Sequence, residues 1–94
     1  MEMVNLAIIS TAHIPTEEAN FLDNNSTFDW PAAGARYGDF GWFFYTDDFA
    51  GAYNEEKLPV LKTVLAWARG KGAVYVLLDR DAIETDELPT FDWK

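Results

Sequence analysis

The chain has no cysteine, a single histidine, and only 7 Lys plus Arg against 16 Asp plus Glu. Without cysteine there is no disulfide framework and no thiolate metal site. One imidazole leaves any zinc site to carboxylates, so no metal is expected. The formal charge of -9 opposes direct nucleic-acid binding, which depends on neutralising phosphates with Lys and Arg. It also opposes docking on anionic membranes. No apolar run approaches the roughly 18 residues of a spanning helix. Met1-Glu2-Met3 is not a basic leader, and Leu6 to Ile9 is too short for a signal core. The expectation is a soluble cytoplasmic protein. In that setting the glycosylation patterns Asn24-Asn25-Ser26 and Asn25-Ser26-Thr27 are chance matches in a polar loop.

Nucleotide-binding loops are missing too. Gly34, Gly38 and Gly41 are spaced too irregularly for a dinucleotide fingerprint, and no Gly-Lys-Ser/Thr occurs. Asp79-Arg80-Asp81 begins like a calcium loop. Ile83, Glu84 and Thr90 then stand where ligands five and twelve and the turn glycine belong. No cofactor is expected.

What the chain does have is apolar mass. Of its 94 residues 49% are hydrophobic and 16% aromatic, enough to offset chain entropy in one compact domain over residues 1–94. Val4 to Ser10 is short, apolar and partly β-branched, which predicts a buried strand. Pro15-Thr16-Glu17-Glu18 opens a helix, with its acids at the positive end of the dipole, and Asn24-Asn25 closes it. Ser26 to Asp39 has no clean period and reads as a long loop. Gly41-Trp42-Phe43-Phe44-Tyr45-Thr46 reads as a central strand whose rings reach both faces. Asp47 to Asn54 reads as a second loop. Leu58, Leu61, Leu65 and Ala68, three and four apart, predict a helix over 55–69, stopped by Gly70 and Gly72. Ala73 to Asp79 is a third strand. An acidic tail follows, with an apolar anchor at Leu88-Pro89-Thr90-Phe91-Asp92-Trp93. The reading is a small α+β (or small α/β) domain. Its single three- to four-stranded sheet carries two helices on one side, in strand-helix-strand-helix-strand order. The strands at 41–46 and 73–79 can pair either in parallel through a right-handed crossover or antiparallel.

His13 lies in Ser10-Thr11-Ala12-His13-Ile14-Pro15, between a strand and a helix. Such turns often hold catalytic groups, and Ser10 or Thr11 with His13 would make a nucleophile and base. No Gly-x-Ser-x-Gly elbow accompanies them. A hydrogen-bonded packing histidine, with Ser and Thr capping the loop, is the favoured reading. No catalytic residue is assigned.

The acids are unevenly spread. The first 60 residues hold ten acids and two bases, which is -8 of the -9. Aromatics on the loops stand beside them. An exposed ring surrounded by carboxylates is a protein-binding pattern. The expected partner-binding set is Asp23, Asp29, Asp47, Asp48, Glu55 and Glu56, with Phe49 and Tyr53 as apolar anchors.

The segment Ser10 to Pro15, the strand from Gly41-Trp42 to Asp47-Asp48, the run through Ala68-Arg69, Gly72, Tyr75 and Leu78-Asp79, and the closing Leu88 to Trp93 resemble a family of small acidic domains of unknown function. That family is carried by phages, plasmids and other mobile elements. The resemblance supplies no catalytic residues. It implies a mobile-element context, in which small acidic proteins often inhibit host defence systems. The expected function is therefore a non-enzymatic inhibitor of the anti-CRISPR or anti-restriction type. Its acidic face would occupy a basic, nucleic-acid-binding groove on a host protein or nucleoprotein complex. The alternatives are a homo-oligomerising interaction domain and a small enzyme centred on His13.

Overall fold

In the computed structural model, residues 1–47 and 54–93 are described. Four strands form one mixed sheet: β1 (Leu6–Ile9), β2 (Gly34–Tyr37), β3 (Gly41–Tyr45) and β4 (Tyr75–Asp79), in the spatial order β1-β4-β3-β2. Two helices, α1 (Thr16–Asn24) and α2 (Pro59–Gly70), pack on one side of it. The chain is a small α+β domain, as expected.

Four details differ from the sequence reading. β1, read as a buried strand, is an edge strand whose Leu6 and Ile8 are half exposed. The helix read over 55–69 starts at Pro59, behind a separate 3-10 turn at Glu55–Lys57. The other two concern the sheet. First, β2 lies inside the segment read as loop. Its four residues pair antiparallel with β3, from Gly34↔Phe44 to Tyr37↔Gly41. This edge strand has no apolar alternation to announce it. The strand order is thus strand, helix, strand, strand, helix, strand. Second, β3 and β4 are antiparallel, and the parallel pair is β1 with β4. The hairpin between β2 and β3 turns on Gly38-Asp39-Phe40. Gly38 takes the left-handed φ of 50° that glycine accepts without strain. At Gly41 the next strand comes so close that a Cβ would sit 1.7 Å from the Leu78 carbonyl oxygen.

Side chains alternate across the sheet, so one face is buried and the other is open. Ile9, Trp42, Phe44, Val76 and Leu78 face the helices. From α1 they meet Ala19 and Leu22, and from α2 they meet Leu61, Val64, Leu65 and Ala68. Leu58 completes the apolar stripe just before α2. Only two of the four consecutive aromatics of β3 reach the core, because Phe43 and Tyr45 point to the open face. Trp30 packs against Phe44 at 5.5 Å, and its indole N–H is buried with no partner among the described residues.

Each helix borrows a cap from elsewhere in the chain. α2 starts at Pro59, with Leu58 in the N-cap position and no capping side chain of its own. Its exposed amides are met by Glu18 from α1. One carboxylate oxygen accepts from Val60 N–H at 2.9 Å and the other from Leu61 N–H at 2.8 Å. A carboxylate there also faces the positive end of the helix dipole. At its C-terminus α1 has no base in the last turn. Arg36 of β2 supplies one, donating to the carbonyls of Leu22, Asp23 and Asn25 at 2.6, 3.1 and 3.0 Å. The sequence reading gave Glu18 the dipole of its own helix; the structure buries it, 3% exposed, at the start of the other helix.

Burial pushes the Glu18 carboxyl above the ordinary Glu value, against the pull of its two backbone donors and with some help from neighbouring Glu17. Glu18→Ala strands two buried N–H groups and should cost about 2–4 kcal/mol in urea unfolding. The folded state holds this proton more tightly than the unfolded chain. Its stability contribution therefore rises as pH falls from neutral towards the mid-acid range, opposite to an ordinary paired carboxylate. Glu18→Gln does not titrate, so the wild-type advantage over it should be larger at about pH 5 than at about pH 7.5. An advantage that shrinks on acidification would contradict the assignment.

Candidate functional site

Ser10 ends β1 and caps a 3-10 turn over Thr11–His13, its hydroxyl accepting from Ala12 N–H at 3.1 Å. This turn drives His13 inward, where it is 0% exposed. The imidazole meets the C-terminal tail on both sides. Nδ1 lies 2.9 Å from the Pro89 carbonyl oxygen, and Nε2 lies 3.0 Å from Thr85 N. A carbonyl only accepts and an amide N–H only donates. The partners therefore assign the neutral tautomer, with the proton on Nδ1. Neither ring nitrogen is left over to serve Ser10 or Thr11 as a base.

Further bonds join the same two segments. Phe91 N–H donates to the Ala12 carbonyl at 2.8 Å, and the Trp93 indole N–H donates to the Ile14 carbonyl at 2.9 Å. Trp93 also packs against Trp42 at 6.3 Å. Midway along the tail, Glu87 pairs with Lys71 and accepts from the Trp67 indole N–H. The Lys71 ammonium, and then the indole, hold the Glu87 carboxyl below its ordinary range. The tail is thus tied to β1's exit and to the end of α2.

The expected partner-binding residues do not form one patch. Asp29 and the turn at 54–57 are brought together, because Asn54 donates its side-chain N–H to the Asp29 carbonyl at 2.8 Å. Asp29 and Glu56 are exposed there, while Glu55 is half-buried and pairs with Lys62. Asp47 is exposed just beyond β3. Asp23 sits on α1, beside a groove of about 490 Å³ that it shares with Arg36, Phe40, Trp42, Arg80 and Trp93. Two of the chain's few cations line this groove, so it is not an extension of the acidic surface. The Arg80 guanidinium stacks 5.0 Å from the Phe40 ring centre. Asp48, Phe49 and Tyr53 lie outside the described residues. Of the other aromatics read as loop residues, Phe28 is 96% exposed, Trp30 is buried and Tyr37 belongs to β2.

Among the described residues no three His, Asp or Glu side chains are grouped to hold a metal ion. No helix among them is long and apolar enough to cross a membrane. Comparison with known proteins gives a match over residues 6–93 to a family model described as "Family of unknown function (DUF5983) C-terminal domain". No curated protein and no solved structure matches.

His13→Ala removes two backbone partners and opens a buried hole, and should cost about 2–4 kcal/mol. The loss should be localised. Amide exchange at Thr85 and Phe91 should accelerate ahead of β3, and trypsin should cut after Arg80. A variant as stable and as protected as wild type would show that the imidazole does not hold the tail.

Proposed function

For a chain that belongs to the DUF5983 family of unknown function, through the C-terminal domain of that family, we propose a non-enzymatic protein-binding role. It is a mobile-element inhibitor whose acidic surface occupies a basic, nucleic-acid-binding surface of a host defence complex. The observation that carries this reading is the Asn54–Asp29 bond. It folds the first acidic stretch onto the turn before α2, so that Asp29 and Glu56 share one exposed region. Lys62 is drawn to Glu55, and Lys57 is the remaining cation of that turn.

A groove lined with Lys and Arg attracts carboxylates as it attracts phosphates, and such steering speeds encounter by about 10- to 1000-fold at low salt. The histidine's engagement by backbone on both sides favours this reading over chemistry at the β1 exit. Asp23 and Asp47, exposed at other points of the surface, are the remaining described acids of the proposed set. Asp48, with Phe49 and Tyr53 as apolar anchors, completes the proposed set; these three lie outside the described residues.

The test is a charge reversal at four exposed acids: Asp23, Asp29, Asp47 and Glu56 all changed to Lys. Purified wild type should block nucleic-acid binding by a CRISPR or restriction complex at low salt and lose its hold as salt rises. The quadruple variant, folded by circular dichroism, should be at least tenfold weaker. A variant that blocks as well as wild type would overturn the reading. So would a wild type that binds and blocks no such complex.

A further inference from the structure

Among the described residues the sheet has helices on one side only. The other side is built from alternate residues of all four strands. Leu6 and Ile8 stand beside Tyr75 and Leu77, then Phe43 and Tyr45, then Ala35 and Tyr37. Leu6, Ile8, Tyr37 and Tyr45 are 45, 55, 44 and 41% exposed. Among the paired positions of this face the one charge is Asp79 at its margin, and that carboxylate accepts from Asp81 N–H at 2.9 Å. Rings form a ridge across the middle. Phe43 stacks on Tyr75 at 5.1 Å, and Tyr45 tilts against Tyr75 at 5.6 Å. Beside the ridge is a hollow of about 550 Å³, floored by Gly34 and Ala35 and bordered by Val4.

We propose that this open sheet face is the contact between two copies of this chain, packed sheet to sheet about a two-fold axis. Three observations select a second copy over other occupants. The first is charge. In a molecule carrying -9, a broad apolar face with two acids, Asp79 at its margin and Glu2 beside the hollow, offers little for a basic partner to recognise. It can meet its own likeness with little repulsion at the contact. The second is shape. A ridge beside a hollow on one face is what an isologous pair needs, because each ridge can enter the other's hollow. The third is size. From their fractional exposures Leu6, Ile8, Tyr37 and Tyr45 alone offer roughly 400 Å², and the half-buried Phe43, Tyr75 and Leu77 with exposed Val4 at the rim extend this towards the ~600–1,000 Å² per partner that standard interfaces bury. Aligned packing of two sheets at about 10 Å completes the two bare layers into four. The helical layers then lie outermost, carrying Asp23 and the acids before α2 away from each other.

This contact is independent of the acidic one and has the opposite salt response. Salt screens the repulsion between two acidic bodies, so self-association should strengthen as salt rises, whereas a charge-led hold on a basic partner weakens. The experiment is sedimentation velocity on the full chain from micromolar to millimolar concentration, at low and at high salt. Wild type should pass from monomer to dimer, at lower concentration in high salt. Ile8→Lys and Tyr45→Lys change exposed positions of the open face. Each should weaken the dimer at least tenfold while circular dichroism and melting stay close to wild type. Glu56→Lys, on the helical side, should leave the dimer intact. Two results overturn the proposal: a wild type that stays monomeric over the whole range, or a dimer that survives both open-face lysines. Neither bears on the inhibitor reading, which is judged by the nucleic-acid competition alone.

Discussion

A neutral imidazole held between a backbone carbonyl and a backbone amide organises one end of this protein. Pro89 accepts from one ring nitrogen and Thr85 donates to the other. No other side chain of similar size offers a donor and an acceptor in this rigid arrangement. Without it the tail from Thr85 to Trp93 keeps only the Phe91, Trp93 and Glu87 contacts. Leu88, which the tail brings into the core, would lose its anchor. The stretch Ser10 to Pro15 and the stretch Leu88 to Trp93, far apart in the chain, are thus two halves of one clasp. A change in either half is felt in the other.

The same logic recurs at the helix ends. Glu18 satisfies the amides of α2, and Arg36 satisfies the carbonyls of α1. Asn25 also closes α1 locally, and Lys71 and Gly72 close the far end of α2, but the start of α2 and the last carbonyls of α1 draw on distant residues and so depend on the fold being complete. Charges buried or drawn in for such work are withdrawn from the surface. Glu18 is counted in the net charge of -9 but contributes little to an outward field.

Much of this was legible from residues alone. The stripe Leu58, Leu61, Leu65 and Ala68 located α2 and its buried side, because a 3.6-residue period leaves few other readings. The apolar runs located β1, β3 and β4. The short edge strand β2 was hidden, since Gly34-Ala35-Arg36-Tyr37 has neither β-branched residues nor alternation, and its pairing is supplied by β3. The antiparallel pairing of β3 with β4 was open, because a helix of this length can connect strands in either sense. Glu18 carried one overlooked signal. Leu58-Pro59 starts a helix without any capping side chain, so a carboxylate had to come from elsewhere. The rings of β3 were expected on both faces, but that one of those faces stays open was not legible, since it depends on both helices packing on the same side.

His13, the residue with the most chemical promise in the sequence, and the buried Glu18 are engaged in holding backbone. The surfaces proposed for recognition lie elsewhere: an acidic region near Asp29 and Glu56, and a largely apolar sheet face. The claim that the histidine is a structural clasp is tested most directly by nitrogen-15 NMR of the imidazole ring. The account predicts a single neutral tautomer protonated at Nδ1, with a slowly exchanging ring proton. A ring protonated at Nε2, or one averaging rapidly between tautomers, would contradict it.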